Sequence, residues 1–209
     1  MEKSTIEQIV RERRTIRTLT NQTISLETIH HLLESASYAP YHSKDEPWEV
    51  IIVREQQERQ AFVKEIMNSY NRLDIWARYE QEHLEKAKKR TEDYFLDVPV
   101  TLIVTAPICE SEKSNLEAIS AVSAFIQNVQ LVAWAQKIGV TWRTIPVIFD
   151  EVFKQNSGVA AERQIIGLLD ISFIDENITL PKSRRKPVTQ WTKGLNDKVA
   201  EMSKENKEL

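Results

Sequence analysis

Glycine is scarce in this 209-residue chain: Gly139, Gly158, Gly167 and Gly194, no two of them close in sequence. That spacing excludes a G-x-G-x-x-G dinucleotide turn and a G-x-x-x-x-G-K-S/T phosphate loop, which need clustered glycines to let backbone N–H groups close on a phosphate. Cysteine is scarcer still. Cys109 stands alone, which excludes an intrachain disulfide and favours a cytoplasmic setting. Four histidines at no zinc-finger spacing give no reason to expect a metal site. No apolar run approaches the roughly 20 residues of a bilayer span, so no membrane role is expected. Residues 1–14 are charged and lack the apolar stretch of a secretory signal. The net charge of −3 argues against a broad nucleic-acid surface.

What is present describes an ordinary globular chain, 41% hydrophobic and 28% charged. The length fits a single domain over residues 1–209, with a polar segment from about 196 read as a mobile tail. Ile6, Ile9 and Val10 fall at helical spacing. Ser25 suits the N-cap of a second helix with the stripe Ile29, Leu32, Leu33 and Ala36, ended by Pro40. Residues 48–53, 98–105 and 164–173 read as strands, 140–143 as a short strand or extended loop, and 56–95 as one or two helices. A long apolar-faced helix is expected over 116–137, with Gly139 at its C-cap. Residues 150–155 read as a short helix, 180–188 as an extended basic stretch, and the residues beyond Leu195 carry a weak helical pattern. Separated strands around one central helix indicate an α+β layered fold.

Against the acidic average stands Arg13-Arg14-Thr15-Ile16-Arg17. Three guanidinium groups and a hydroxyl within five residues match the donor pattern of a phosphate or carboxylate site. The same residues also suit a helix end whose cations complement its dipole. A second basic cluster, Lys182-Ser183-Arg184-Arg185-Lys186, reads alone as a solvated loop; with the first it could form a shared anion site. The connector Ala39-Pro40-Tyr41-His42-Ser43-Lys44-Asp45-Glu46-Pro47-Trp48 is either a rigid link or a ligand-facing loop. In Trp142-Arg143-Thr144, Trp142 could be core and Arg143 could snorkel.

These pieces, in this order, resemble the nitroreductase family. Its R-R-S-x-R segment is similar to residues 13–17, and its A-P-S-x-x-N-x-Q-P-W motif to residues 39–48. Its Q-N-x-x-L-x-A helix is similar to residues 127–133, its G-x-x-W-x-S/T to Gly139 and Trp142-Arg143-Thr144, its I-x-G-x-L/I to residues 165–169, and its P-K-x-R to residues 181–184. The resemblance implies a nitroreductase-like layered fold, a central mixed β-sheet flanked by helices, and an intertwined homodimer with FMN at the subunit interface. It implies an enzyme in which NAD(P)H reduces the flavin and a nitroaromatic, quinone or similar small-molecule acceptor then reoxidises it in a ping-pong cycle. Flavin N5 carries the hydride, so no catalytic side chain is expected. The implied cofactor-binding residues are Arg13, Arg14, Thr15 and Arg17, with Lys182 and Arg184 completing a phosphate clamp. Pro40, Tyr41, His42 and Lys44 would line the flavin from the second subunit, and Trp142, Arg143 and Thr144 would approach the ring edge. Lys44, Glu46 and Ile145 depart from the family pattern. They leave open a flavin-binding protein for storage or sensing; the basic clusters alone would also suit a nucleic-acid or anion-binding domain without flavin.

Overall fold

In the computed structural model, residues 5–20, 22–41 and 46–205 are described. The chain divides into two compact units, Met1–Ile178 and Thr179–Leu209. The first unit opens with α1 (Ile6–Glu12), capped by the Thr5 side chain, and α2 (Leu26–Ala36), where Ser25 Oγ accepts the Thr28 N–H at 3.0 Å as the cap requires. Then come β1 (Glu49–Val53), α3 (Gln56–Arg72), a 3-10 turn (Ile75–Arg78) and α4 (Gln81–Asp97). β2 (Val100–Pro107), α5 (Glu112–Ala135) and β3 (Ile138–Arg143) follow, then a 3-10 turn (Pro146–Phe149), α6 (Glu151–Asn156) and β4 (Arg163–Phe173). The second unit holds a 3-10 turn (Val188–Gln190) and α7 (Leu195–Glu205), which accounts for the weak helical pattern beyond Leu195.

The sheet order is β1-β2-β4-β3, and each of its pairings is antiparallel. The α+β expectation holds, but the sheet is not mixed in its pairings. The reason lies in the connections. Two helices, α3 and α4, return the chain from β1 to the adjacent β2 in the opposite sense. A single helix, α5, carries it from β2 to β3 in the same sense, and β4 then slots between them, antiparallel to both.

Period-two alternation gives the sheet two buried faces. On one, Val100, Leu102, Val104, Leu169, Ile171, Ile138 and Val140 pack with α2 and with Val122, Phe125, Ile126 and Val129 of α5. α5 is long and apolar enough to suit a bilayer by composition, but its buried stripe faces this core. On the other face, Ile103, Leu168 and Ile165 pack with Phe62, Val63 and Ile66 of α3, Ala87 and Phe95 of α4, and Phe153 of α6.

Gly139 is not the C-cap of the long helix. α5 stops at Ala135, and the positive-φ residue after it is Lys137, at φ 58°. Gly139 lies inside β3, paired with Ser172. A Cβ there would sit 2.9 Å from Ile16 Cβ, so the residue is glycine because another backbone segment crosses it.

Candidate functional site

That crossing segment is the arginine run. After α1 the chain turns extended at Arg13, with φ −52° and ψ 132°. Extended backbone sends successive side chains to opposite sides, and the burial follows: Ile16 is buried, whereas Thr15 and Arg17 are exposed. Ile16 rests on Gly139, and the Thr141 hydroxyl donates to the Ile16 carbonyl at 2.7 Å. Further along, the Thr20 N–H donates to Ser172 Oγ at 2.9 Å. The first arginine motif and the start of the tryptophan motif, far apart in sequence, therefore meet on one strand. The side chains of Thr15 and Arg17 make no hydrogen bond or ion pair among the described residues. Arg14 behaves differently: its guanidinium folds back to the carbonyls of Arg11, at 2.6 Å, and Arg13, at 2.8 Å, as a helix-end cation does.

The proline loop is tethered to α5 at both ends. On the entry side, Asn128 Nδ2 donates to the Ala36 carbonyl at 3.3 Å, and Ala39 is buried in the α2–α5 core. On the exit side, the Trp48 indole stacks on Phe125, with centroids 5.0 Å apart and planes at 9°. Arg163 Nη2 donates to the Pro47 carbonyl at 2.6 Å. Between these anchors Pro40 is exposed and Tyr41 half-buried; His42 and Lys44 lie outside the described residues.

Residues 142–144 go three ways. The Trp142 indole leans across Gly167, where a Cβ would fall 2.1 Å from Nε1, and donates to the Ile166 carbonyl at 3.2 Å. That carbonyl belongs to a β-bulge, since Val104 pairs with Gly167 and Thr105 with Ile165, which leaves Ile166 without a partner in the ladder. Thr144 is exposed. Arg143 turns to the opposite face of the sheet from Trp142 and meets Asp170: Nε to Oδ2 is 2.5 Å. Thr101 Oγ1 and the Tyr94 hydroxyl donate to the same carboxylate, each at 3.1 Å, and the Arg143 guanidinium stacks 4.5 Å from the Tyr94 ring centroid.

Asp170 is 2% exposed. Burial drives its carboxyl up, against the pull of Arg143 and of the two hydroxyls. Burial also works against the charge on Arg143, but Asp170 outweighs it and holds the guanidinium above its ordinary range. Tyr94 is pushed up to about 12 by burial and by the Asp170 charge. The cluster is closed upon itself. It holds the end of β3 in place, and Arg143 is committed to it.

Lys182 and Arg184 lie in the second unit, exposed on an extended stretch without helix or strand. Asp170, Tyr94, Thr141 and Ser172 also serve these contacts and are not among the residues that the motifs single out. Asp170 carried a signal: a carboxylate inside the apolar run Gly167-Leu168-Leu169-Asp170-Ile171 requires a buried cation. Thr141 and Ser172 carried none, because a strand hydroxyl that receives a distant segment looks like any other.

A sequence profile described as "Nitroreductase family" matches residues 10–171. YfhC of Bacillus subtilis (strain 168), which bears the name of an NAD(P)H nitroreductase, is 27% identical over 174 residues, 83% of this chain and 86% of that protein. The crystal structure of a nitroreductase-like family protein from Bacillus cereus superposes with a TM-score of 0.79 at 26% identity, covering 92% of this chain and 96% of the other. That of an iodotyrosine deiodinase bound to FMN and 3-iodo-L-tyrosine superposes with a TM-score of 0.68 at 16% identity, over 88% and 96% of the two chains.

Proposed function

The chain belongs to the nitroreductase family, and from that membership we propose that it is an FMN-dependent oxidoreductase that uses NAD(P)H to reduce nitroaromatics, quinones or similar acceptors by a ping-pong cycle. The observation that carries the reading is the arginine segment seated on β3 with Thr15 and Arg17 turned outward. A phosphate monoester brings close to two negative charges. A guanidinium and a hydroxyl without acceptors of their own among the described residues suit it, in a chain that has no glycine-rich loop for the purpose.

Arg13, Thr15 and Arg17 would hold the flavin phosphate and ribityl chain; a phosphate role for Lys182 and Arg184 rests on the family motif alone. Thr144, exposed beyond the end of β3, would meet the ring edge. Trp142 and Arg143 would shape the strand end, since the indole N–H and the guanidinium are already engaged within the chain. FMN, when bound, supplies the hydride chemistry, so the site needs orientation and charge rather than an acid–base pair. A second copy of the chain would complete the pocket with Pro40, Tyr41, His42 and Lys44. Support for such a homodimer comes from exposed Ile6, which borders a groove of about 430 Å³ along Leu131 and Val132 of α5.

The test is spectroscopic. Protein desalted after purification is expected to keep a flavin spectrum and to release FMN on denaturation. Anaerobic NADH or NADPH should bleach it, and a nitroaromatic or quinone should restore it. 3-Iodo-L-tyrosine, tried as the acceptor in parallel, separates a deiodinase from a nitroreductase. Colourless protein that takes up no added FMN overturns the proposal. Flavin that binds but bleaches with neither nucleotide replaces it with storage or sensing.

A further inference from the structure

Thr15 to Thr20 makes no backbone-to-backbone hydrogen bond among the described residues and belongs to no helix or strand. Its placement rests on three attachments to one face of the sheet. Gly139 leaves the space that the Ile16 side chain occupies. Thr141 donates to the Ile16 carbonyl at 2.7 Å. Ser172, directly opposite Gly139 on β4, receives the Thr20 N–H at 2.9 Å. Thr15 and Arg17 flank Ile16, so whatever sets Ile16 sets them.

We infer that Gly139, Thr141 and Ser172 are positioning residues for the anion-binding edge of Thr15 and Arg17, and that they fix the preference of the site for a flavin bearing a terminal phosphate over one without it. The inference rests on the FMN reading above and adds to it the residues that hold the phosphate donors in register.

The coupling is steric and then geometric. A methyl at position 139 would approach Ile16 Cβ to 2.9 Å, and neither atom can rotate away, because the backbone places both. The crossing segment must lift, and Thr15 and Arg17 lift with it. Replacing the Thr141 hydroxyl with a methyl leaves the Ile16 carbonyl without its partner and releases the segment from the same point. Charge-assisted hydrogen bonds to a phosphate are directional, and a binding group misplaced by about 0.5 Å loses much of its effect.

The experiment is a paired titration of apo-protein with FMN and with riboflavin, followed by flavin fluorescence, together with thermal unfolding of each variant. Wild-type protein should prefer FMN. Gly139→Ala and Thr141→Val should each weaken FMN by at least about tenfold, in line with the usual cost of removing the groups that orient a ligand-binding residue. Riboflavin, which keeps the ribityl chain and lacks the phosphate, should lose much less, so the preference for FMN narrows. Thr141→Ser keeps the hydroxyl and should keep the preference; Ser172→Ala, at the far end of the segment, should lose less than Thr141→Val. Folded Thr141→Val protein with an unaltered FMN-to-riboflavin ratio overturns the inference and leaves the FMN reading standing. So does equal loss of both ligands, which would mark general loosening. Wild-type protein that binds no FMN overturns the reading beneath it, and the inference with it. Should Gly139→Ala fail to fold, Thr141→Val and Thr141→Ser decide the matter.

Discussion

Arg143 and Arg17 are both held in place by β3, and they are opposites. Arg143 ends the strand and turns inward to a carboxylate, two hydroxyl-bearing neighbours and an aromatic ring. Arg17 sits beside a residue clamped to the middle of the strand, faces outward and makes no hydrogen bond or ion pair among the described residues. Among the described residues one guanidinium has a counter-ion and the other has none. Asp170 is the buried charge and must be paired, so half-buried Arg143 is committed to it. An exposed guanidinium held beside an anchored backbone is available to an external anion. Residue type alone would have assigned the two the same role.

Two substitutions test the two arginines from opposite sides. Arg17→Glu should remove FMN binding beyond detection, since losing a charged partner of a phosphate costs about 2–5 kcal/mol and the new carboxylate adds repulsion. Its unfolding free energy should stay within about 0.5 kcal/mol of wild type, as for other surface changes. Normal flavin content in that variant would end the claim that Arg17 faces the cofactor. Asp170→Asn should do the reverse, costing about 3–5 kcal/mol in urea unfolding because Arg143 is left charged and without its carboxylate. Replacing both partners, Arg143→Met with Asp170→Leu, should recover much of that loss, since a buried ion pair often exchanges for apolar side chains at little net cost. A single Asp170→Asn change without effect on stability would show that the pair is dispensable and Arg143 less committed than its contacts imply.

The sequence made visible those features whose physics is local. Ser25 caps α2, the apolar stripe of α5 is buried, and the strands fall within a few residues of their expected ends. Arg14 as a helix-end cation was likewise readable from its place after α1. What escaped depends on contacts between distant segments. Gly139 follows a helix, where a C-cap glycine is the ordinary expectation, and only the crossing of Ile16 shows why it is glycine. Gly167 was legible as a motif residue, but its reason, a seat for the Trp142 indole, is a cross-strand fact. The family motif places Trp142, Arg143 and Thr144 together at the ring edge, whereas strand alternation sends Trp142 and Arg143 to opposite faces. His42 and Lys44 stay with the expectation, outside the described residues.

Two smaller effects sharpen the contrast at the committed end of the strand. Gly167→Ala would drive a methyl into the Trp142 indole and should cost about 1–3 kcal/mol, the usual range for overpacking; its mark is altered tryptophan fluorescence together with a lower midpoint in urea. Tyr94→Phe keeps the ring over Arg143 and removes only the hydroxyl, so it should cost about 1–2 kcal/mol at neutral pH.

The same tyrosine gives the cluster a signature in alkali. Burial, aided by the Asp170 charge and opposed by Arg143, lifts its hydroxyl from 10.0 to about 12. Its folded value lies above its unfolded one, so the stabilisation is fully present below about pH 10 and is lost as the pH rises through about 12. Across that window the unfolded chain gives up the Tyr94 proton first, which pulls the equilibrium toward unfolding. Tyr70, raised likewise by burial, contributes with the same sign. Urea unfolding followed through the window should therefore show stability falling with pH in wild type and falling less steeply in Tyr94→Phe, with Tyr70 contributing to the slope that remains. Equal slopes in the two proteins would mean that Tyr94 ionises as freely folded as unfolded, and that the pocket around Asp170 is open to water rather than sealed.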